Sequence, residues 1–300
     1  MFDIIVVGAG PAGLTAALYA RRAGQSVLIL EGGVPGGQAV STPHVENWPG
    51  TLSISGSDFA MGLYQQVTDL GAEFQFAAAK SLEDRGAVKV IDTGEQTYEG
   101  RTLILANGVR RRKLEVPGEK ELGGRGVSYC ATCDGSFFKG KDVAVVGGGN
   151  TAVEDAIYLS AICPTVWLIH RRDQFTAQKY LLDSLASRSN VKFLMNHQVI
   201  EIQGKEKVEG LRLAGPDNQR MIRVSGVFAA VGLIPDNAVF SPPLELDPFG
   251  YIQAGEDCAT NVPGVFAAGD TRSKELRQLV TAASDGAMAA SQAGRYLGSL

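Results

Sequence analysis

The sequence contains no long apolar run, no strong charge of one sign and few cysteines or histidines. None of its apolar stretches approaches the ~18 residues that a membrane-spanning helix needs, and Met1-Phe2-Asp3 lacks the basic start of a signal peptide. The net charge is −4, and Arg110 to Lys113, a run of like charge, is predicted to be a solvated linker face. We therefore expect a cytoplasmic protein that binds neither membranes nor nucleic acid.

Four cysteines in a cytoplasmic chain do not predict a structural disulfide framework. Cys130 and Cys133 form a Cys-x-x-Cys pair, whereas Cys163 and Cys258 are isolated and are expected to be structural or incidental. A zinc site needs about four ligands, and the chain has only 3 His, so a redox dithiol is favoured and no metal is predicted. Asp134 follows the pair as a candidate acid or base, or as a simple turn or cap residue.

The length of 300 residues favours two domains, although one large α/β barrel is an alternative. Glycine is in excess, with 37 residues against an average usage of about 7%. These glycines cluster in short turns after apolar runs, where a backbone must approach a ligand closely.

Two segments repeat the order strand, Gly-rich turn, helix and strand, which predicts two βαβ units. Their predicted elements are 3–7, 11–23 and 26–30 in the first, and 142–146, 151–161 and 165–169 in the second. Other predicted elements are helices over 57–70 and 278–296 and strands over 89–93, 102–106, 191–194 and 226–231. The Pro-rich stretch 241–248 is a candidate linker. If the C-terminal tail returns to the first domain, the second domain is inserted in it.

The first Gly-rich turn reads Gly8-x-Gly10-Pro11-Ala12-Gly13, and Glu31 ends the next predicted strand. Glycines there allow close approach of a pyrophosphate to the helix N-terminus, and the carboxylate suits an adenosine ribose. The pattern predicts a dinucleotide site; tight packing of the helix on the strand is the alternative.

The second turn reads Gly147-x-Gly149-Asn150-Thr151-Ala152. The strand after its helix ends in His170-Arg171-Arg172 instead of an acid, which suits the 2′-phosphate of NADP. An exposed basic turn is the alternative. Two dinucleotide sites on one chain imply that NADPH reduces a bound FAD, which then reduces something else, and the dithiol is the candidate acceptor.

In this combination the sequence resembles the low-molecular-weight thioredoxin reductases, which are FAD-dependent pyridine nucleotide-disulfide oxidoreductases. The resemblance runs from residue 2 to about 298. Besides both Gly-rich turns and the basic motif, it rests on 36–38, 46–50, 130–135, 264–270 and 277–278. It implies an α/β fold with two Rossmann-like domains, an FAD-binding domain of 1–113 and 242–300 and an inserted NAD(P)H-binding domain of 114–241 that carries the dithiol.

The resemblance also implies roles for single residues. Cys133 would face the flavin ring, Cys130 would attack the substrate disulfide, and Asp134 would protonate the leaving thiolate. The residues implied to bind FAD outside the first Gly-rich turn are Gly36, Gly37, Gln38, Asn47, Ala106, Gly108, Gly269, Asp270, Arg277 and Gln278. The implied partner is thioredoxin or a thioredoxin-like protein, and the implied assembly is a homodimer.

Two positions depart from the family pattern. Thr176 stands where a third arginine is usual, which weakens the NADP preference, and Asn107 replaces a common threonine. A related subgroup takes electrons from ferredoxin, so a ferredoxin-dependent reductase is the alternative; the intact 147–150 turn with Arg171 and Arg172 argues against it. A flavin-binding redox sensor is a third, non-enzymatic hypothesis.

One face region of the flavin cannot hold both the nicotinamide and the dithiol in contact, because each must come within about 3–3.5 Å of its reacting atom. The resemblance implies that the inserted domain rotates between two orientations. Our hypothesis places the two linkers near 113–119 and 235–248.

Overall fold

The computed structural model describes residues 1–42, 44–216 and 218–300. The chain forms two compact units. Unit 1 comprises Met1–Arg110 and Ile234–Leu300, and unit 2 comprises Arg111–Leu233. The second unit is thus inserted in the first, and the Pro-rich stretch 241–248 lies inside unit 1.

Unit 1 is built from parallel and antiparallel strands with three long helices. Its elements are β1 (Phe2–Val7), α1 (Pro11–Arg22), β2 (Val27–Leu30), α2 (Gly56–Asp69), β3 (Glu73–Gln75), β4 (Ser81–Asp84), β5 (Lys89–Asp92), β6 (Thr97–Leu105) and β7 (Val109–Arg111). Its later elements are β16 (Leu233–Pro235), which pairs with β7, then β17 (Val265–Ala267) and α6 (Leu279–Gly298). Short 3-10 helices cover Gly37–Ser41, Ala238–Phe240 and Gly269–Thr271.

The main sheet of unit 1 has the order β3-β2-β1-β6-β5-β4, with β17 also pairing with β6. β1 pairs with β2 and β6 in parallel, so the chain must cross over between them, and α1 makes one such crossover. Alternate residues of β1 enter opposite cores: Ile4 and Val6 face the helices, and Ile5 and Val7 face the other side. The turns that follow β1 and β6 therefore lie side by side at one edge of the sheet.

Unit 2 repeats this plan on a smaller scale. Its elements are β8 (Val127–Ser128), α3 (Ala131–Asp134), β9 (Val143–Gly147), α4 (Asn150–Ser160), β10 (Val166–His170), α5 (Lys179–Ala186), β11 (Val191–Met195), β12 (Gln198–Gln203), β13 (Gly210–Ala214), β14 (Gln219–Arg223) and β15 (Gly226–Ala230), with a 3-10 helix over Gly135–Phe138. Five strands form a parallel sheet of order β11-β10-β9-β15-β8.

The predicted α/β class is confirmed, and the predicted helices and strands lie within a few residues of the observed ones, except that β6 extends from Thr97. The sequence prediction missed the antiparallel sheet β12-β13-β14. Its strands are short, and β12 carries a register shift between Val199 and Glu201 that interrupts the alternation of apolar and polar residues. Within the described residues, no helix is long and apolar enough to cross a membrane.

Candidate active site: two glycine-rich turns and a dithiol

The turn between β1 and α1 can be built only with glycine at two positions. Gly8 has φ +101°, and a Cβ on it would lie 2.4 Å from the Ala106 carbonyl oxygen. A Cβ on Gly13 would lie 1.9 Å from the Gly8 carbonyl oxygen. Gly10 differs, because a Cβ there would meet nothing within 4 Å. The turn therefore packs tightly at its base and leaves open space in front of the first turn of α1, as a dinucleotide requires.

Glu31 lies directly beside this turn. Its carboxylate accepts the Ala9 N–H at 2.7 Å through Oε2 and the Gly33 N–H at 2.7 Å through Oε1. These hydrogen bonds fix the side chain at the end of β2, which is where the sequence predicted the acid that binds a ribose.

The predicted Gly36-Gly37-Gln38 segment folds back onto the same turn. The Gly36 N–H donates to the Ala9 carbonyl at 2.6 Å, and a Cβ on Gly37 would lie 3.2 Å from the Gly10 Cα. The Gln38 side chain donates to the Val109 carbonyl. Unit 1 thus brings together residues from three predicted motifs.

Asn47 contacts the C-terminal 277–278 motif. The Asn47 amide donates to Gln278 Oε1 at 3.0 Å. Arg277 lies over the Tyr251 ring at 4.2 Å and donates to the Asp270 carbonyl at 3.5 Å. Residues predicted from separate motifs are therefore neighbours within unit 1.

Asn107 takes part in a buried network that the sequence prediction missed. Its Nδ2 donates to Asn237 Oδ1 at 2.9 Å, and its Oδ1 accepts the Thr271 hydroxyl at 3.0 Å. The single hydroxyl proton of Thr271 is shared with Asn237 Oδ1, which lies 2.7 Å from the same hydroxyl oxygen. The Asn107 side chain joins the Ala106–Gly108 turn to Thr271, the residue that follows Asp270, and threonine could not supply both an amide donor and a carbonyl acceptor.

The turn between β9 and α4 repeats the geometry in unit 2. A Cβ on Gly147 would lie 2.3 Å from the Ala230 carbonyl oxygen, whereas the nearest atom to a Cβ on Gly149 is Thr176 Oγ1 at 3.9 Å. Ala152 is fully buried, so it supports the turn by packing. The loop before α5 is fastened over this turn, because the Thr176 N–H donates to the Gly148 carbonyl at 2.8 Å and the Gln178 N–H to Asn150 Oδ1 at 2.9 Å.

A cavity of about 410 Å³ lies in front of this turn. It is lined by the turn itself, by the ends of β10 and β15, and by four basic side chains, Arg112, Lys113, Arg171 and Arg172. The sequence prediction treated Arg110–Lys113 only as a solvated face. The structure adds two of those residues to the cavity, which makes its wall strongly basic and suited to phosphate groups.

His170 lies beneath the turn. A Cβ on Gly148 would fall 2.2 Å from its ring, and its Nε2 is 3.0 Å from the Gln174 carbonyl oxygen. Burial lowers the pKa of His170, and the neighbouring Arg172 and Arg171 lower it further. His170 therefore packs under the turn, while Arg171 and Arg172 are exposed and supply the positive charge.

Cys130 and Cys133 form a disulfide with a Cα–Cα distance of 5.3 Å. Cys130 is the N-cap of α3, and its carbonyl accepts the Asp134 N–H at 3.1 Å. Asp134 Oδ2 accepts the Ser128 hydroxyl at 2.6 Å, and Ser128 Oγ accepts the Cys130 N–H at 3.1 Å. Ser128 was missed by the sequence prediction, since it lies in β8 and nothing local marks it as part of the dithiol turn.

A second carboxyl group lies under the dithiol turn. Asp155 of α4 is buried and accepts the backbone N–H of Ala131. Burial and the neighbouring Glu154 raise the pKa of Asp155 to about 7, although the Ala131 N–H and Arg111 favour its charged form.

The remaining cysteines are shielded. Cys163 and Cys258 are buried, and burial raises the pKa of their thiols to about 11 and about 12. Such thiols are poor nucleophiles. Within the described part of the chain, no group of three or more His, Cys, Asp and Glu side chains is placed to hold a metal ion.

Two units of dinucleotide-binding type, one of which carries a half-buried disulfide on a short turn, define an oxidoreductase that uses a redox-active disulfide. The chain belongs to the pyridine nucleotide-disulphide oxidoreductase family, whose model matches residues 2–286. The resemblance inferred from the motifs is confirmed, and the protein is an enzyme of this family.

Curated relatives match over nearly the whole chain. The thioredoxin reductase of Listeria monocytogenes is 45% identical over 99% of this chain and 94% of its own length. That of Bacillus subtilis is 42% identical over 99% of this chain and 95% of its own. The crystal structure of thioredoxin reductase from Streptococcus pyogenes has a TM-score of 0.95 at 42% identity and covers 100% of this chain and 99% of its own.

A ferredoxin-flavin thioredoxin reductase from Clostridium acetobutylicum is also similar, with 28% identity and a TM-score of 0.55 over 99% of this chain and 98% of its own. The ferredoxin-dependent alternative considered from the sequence therefore has a counterpart among the chain's structural relatives.

Proposed function

We propose that this protein is a thioredoxin reductase, which passes electrons from NADPH through FAD and the Cys130–Cys133 pair to the disulfide of thioredoxin or a thioredoxin-like protein. The observation that carries the proposal is the Cys130–Cys133 disulfide on its short turn in unit 2. Identity to thioredoxin reductases over nearly the whole chain supports the same substrate.

FAD belongs to unit 1 in this proposal. The open space at Gly10 fits it, and α1 begins without a side-chain cap, which leaves N–H groups of its first turn for the pyrophosphate. The residues that would hold it are Gly8, Gly10, Pro11, Ala12, Gly13, Glu31, Gly36, Gly37, Gln38, Asn47, Ala106, Gly108, Gly269, Asp270, Arg277 and Gln278. When bound, the flavin accepts a hydride and passes electrons to a disulfide.

NADPH belongs to the cavity of unit 2. The open position at Gly149 and the uncapped start of α4 fit its pyrophosphate, and Arg171 and Arg172 fit its 2′-phosphate. The residues that would hold it are Gly147, Gly149, Asn150, Thr151, Arg171 and Arg172, with Ala152 and His170 supporting the turn from below. This basic wall favours a nicotinamide donor over ferredoxin.

In the last step the Cys130 thiolate attacks one sulfur of the partner's disulfide and forms a mixed disulfide. The partner's other sulfur leaves as a thiolate, and Asp134 gives it a proton. Cys133 then attacks Cys130, which restores the Cys130–Cys133 bond and releases the second partner thiol. Ser128 holds the Asp134 carboxyl and the Cys130 backbone in place for both steps.

Steady-state reduction of a thioredoxin with NADPH and NADH tests the proposal. We expect purified protein to be yellow and to prefer NADPH, and we expect Cys133→Ser to abolish thioredoxin reduction. Colourless protein, or a Cys133→Ser variant with full turnover, would refute the proposal. Rapid anaerobic bleaching of the flavin by NADPH would exclude a strict ferredoxin requirement.

We also propose a cytoplasmic homodimer, as the resemblance implies. Cysteines that work as a reversible dithiol suit a reducing compartment. Sedimentation equilibrium of the purified protein would measure the assembly, and a monomer at micromolar concentration would contradict it.

A further inference from the structure

A buried cluster of charged side chains holds the turn at Gly269. Asp285 of α6 is 6% exposed, and its Oδ2 accepts the Gly269 N–H at 2.9 Å. The same carboxylate accepts Arg272 Nε at 2.9 Å, Arg272 Nη2 at 2.9 Å and Lys274 Nζ at 2.8 Å. The sequence prediction singled out none of the three charged residues Arg272, Lys274 and Asp285.

The cluster keeps Asp285 ionised. Burial alone would raise the pKa of Asp285, but hydrogen bonds from Arg272 and Lys274 outweigh it and lower that pKa. The Arg272 side chain is 3% exposed, so its two-point contact with Asp285 is shielded from water. Glu256 contacts Arg272 only from the rim, at 3.3 Å, with a 95% exposed side chain.

The turn that this cluster holds lies directly against the start of α1. Gly269 has φ +78°, and a Cβ on it would fall 2.8 Å from the Ala12 Cβ. Gly286, next to Asp285, is closer still, because a Cβ there would fall 2.1 Å from the Ala12 carbonyl oxygen. A shift of the Gly269 turn would therefore change the wall of the space in front of Gly10.

We propose that Asp285, fixed by Arg272 and Lys274, is a positioning residue of the FAD site that fastens the Gly269–Asp270 turn against α1. The inference rests on the proposed function, since it takes FAD to be the dinucleotide of unit 1. Without Asp285, the buried Gly269 N–H loses its acceptor and the turn loses its fixed position.

The test compares variants that differ in this one acceptor. Lys274→Met removes an ion pair and leaves the Asp285–Gly269 hydrogen bond. The double variant Lys274→Met/Asp285→Ala also removes the acceptor of the Gly269 N–H. It loses one cation and one anion together, so the net charge of the Arg272–Lys274–Asp285 cluster equals that of the parent. Glu256→Gln is the control at the rim.

The measurement is the rate at which FAD leaves the holoenzyme after dilution, followed by the fluorescence of the released flavin. We expect release from the double variant to be at least about ten-fold faster than from the parent. Release from Lys274→Met and Glu256→Gln should stay within about three-fold of the parent. Melting curves of all four proteins show whether the variants are folded.

Equal release rates for the parent and a folded double variant would overturn the inference. So would release from Lys274→Met as fast as from the double variant, since the loss of ionic contact alone would then explain the effect. If the double variant does not fold, Arg272→Lys decides, because lysine keeps the charge but cannot bind both carboxylate oxygens in parallel. Faster release supports the inference, and an unchanged rate overturns it. A parent protein without FAD would instead refute the proposed function.

Discussion

The Ser128 hydroxyl donates to Asp134 Oδ2 at 2.6 Å, and the same oxygen atom of Ser128 accepts the Cys130 N–H at 3.1 Å. Ser128 thus joins the candidate acid to the backbone of the attacking cysteine. Since Ser128 is buried, a water molecule cannot easily take over both contacts.

We predict that Asp134→Asn lowers thioredoxin turnover by about 100-fold or more, because positioned acids contribute on that order to proton transfer. Ser128→Ala should lower turnover by about ten-fold, since it removes a hydrogen bond to the carboxyl without removing the carboxyl itself. Stopped-flow absorbance would separate the steps: the rate of flavin reduction by NADPH should be the same in both variants as in the parent.

The exposed Ser187 provides the matched control. Ser187→Ala should leave both half-reactions at the parental rate. If Asp134→Asn reduced thioredoxin as fast as the parent, Asp134 would be a turn residue only, which is the alternative considered from the sequence.

Alanine at Gly10 and at Gly149 should separate the two nucleotide sites. Both residues have φ angles that alanine adopts, −75° and −91°, and a Cβ at either position meets no heavy atom closer than 3.9 Å. The chain should therefore fold in both variants, while the added methyl group occupies space that a pyrophosphate needs. We expect Gly10→Ala to lose FAD and keep NADPH binding, and Gly149→Ala to do the reverse.

Flavin absorbance and calorimetric titration with NADPH would measure these losses. Gly62→Ala, on an exposed part of α2, is the control and should be neutral or stabilising by up to about 1 kcal/mol. A Gly10→Ala protein with full FAD content would contradict the assignment of FAD to unit 1.

Both Gly-rich turns and the dithiol could be predicted because each is contiguous and is set by local geometry. Within the turn itself, Gly8 has φ +101° and a Cβ on Gly13 would lie 1.9 Å from the Gly8 carbonyl oxygen, so both positions require glycine for local reasons. Asn237 and Asp285 could not be found in this way. Asn237 acts on Asn107, which is 130 residues away, and Asp285 acts on Gly269, which is 16 residues away and outside its own helix; a single sequence holds no signal for either pairing.

The residues that line the basic cavity of unit 2 could likewise be predicted only in part from local sequence patterns. Arg171 and Arg172 were predicted because they end a strand of the βαβ unit, whereas Arg112 and Lys113 reach the cavity from a segment outside that unit. Their contribution depends on the tertiary path of the chain, which local patterns do not report.

Thr176→Arg should strengthen the preference for NADPH. Thr176 is exposed, and its N–H is fastened to Gly148 near the basic wall, so an arginine there would add a charge near Arg171 and Arg172. We expect KM for NADPH to fall about ten-fold relative to KM for NADH, with kcat unchanged, because a charge-assisted contact to the 2′-phosphate is made only with NADPH. Thr176→Val, which removes the hydroxyl without adding charge, is the control, and an equal effect of both variants would contradict the prediction.

The raised pKa of Asp155 predicts that the stability of the folded protein depends on pH. In the folded protein the pKa of Asp155 is raised from 3.8 to about 7, with burial as the main cause. Between these two values the folded state keeps the carboxyl protonated and the unfolded state does not, so the folded state binds more protons and stability falls as pH rises. The free energy of unfolding stops falling once the pH exceeds the folded-state pKa of about 7. At about 1.4 kcal/mol per pH unit, the total decrease is at most about 4 kcal/mol.

Asp155→Asn removes this dependence, because the amide stays neutral and its oxygen can still accept the Ala131 N–H. Urea unfolding at pH 5 and pH 8 would measure this. The free energy of unfolding of the variant, relative to that of the parent, should be about 2 to 3 kcal/mol higher at pH 8 than at pH 5. Asp183→Asn, on the exposed face of α5, should show no such gain. If the parent and Asp155→Asn differed by the same free energy at both pH values, Asp155 would be ionised in the folded protein throughout, and Arg111 together with the Ala131 N–H would outweigh burial and Glu154.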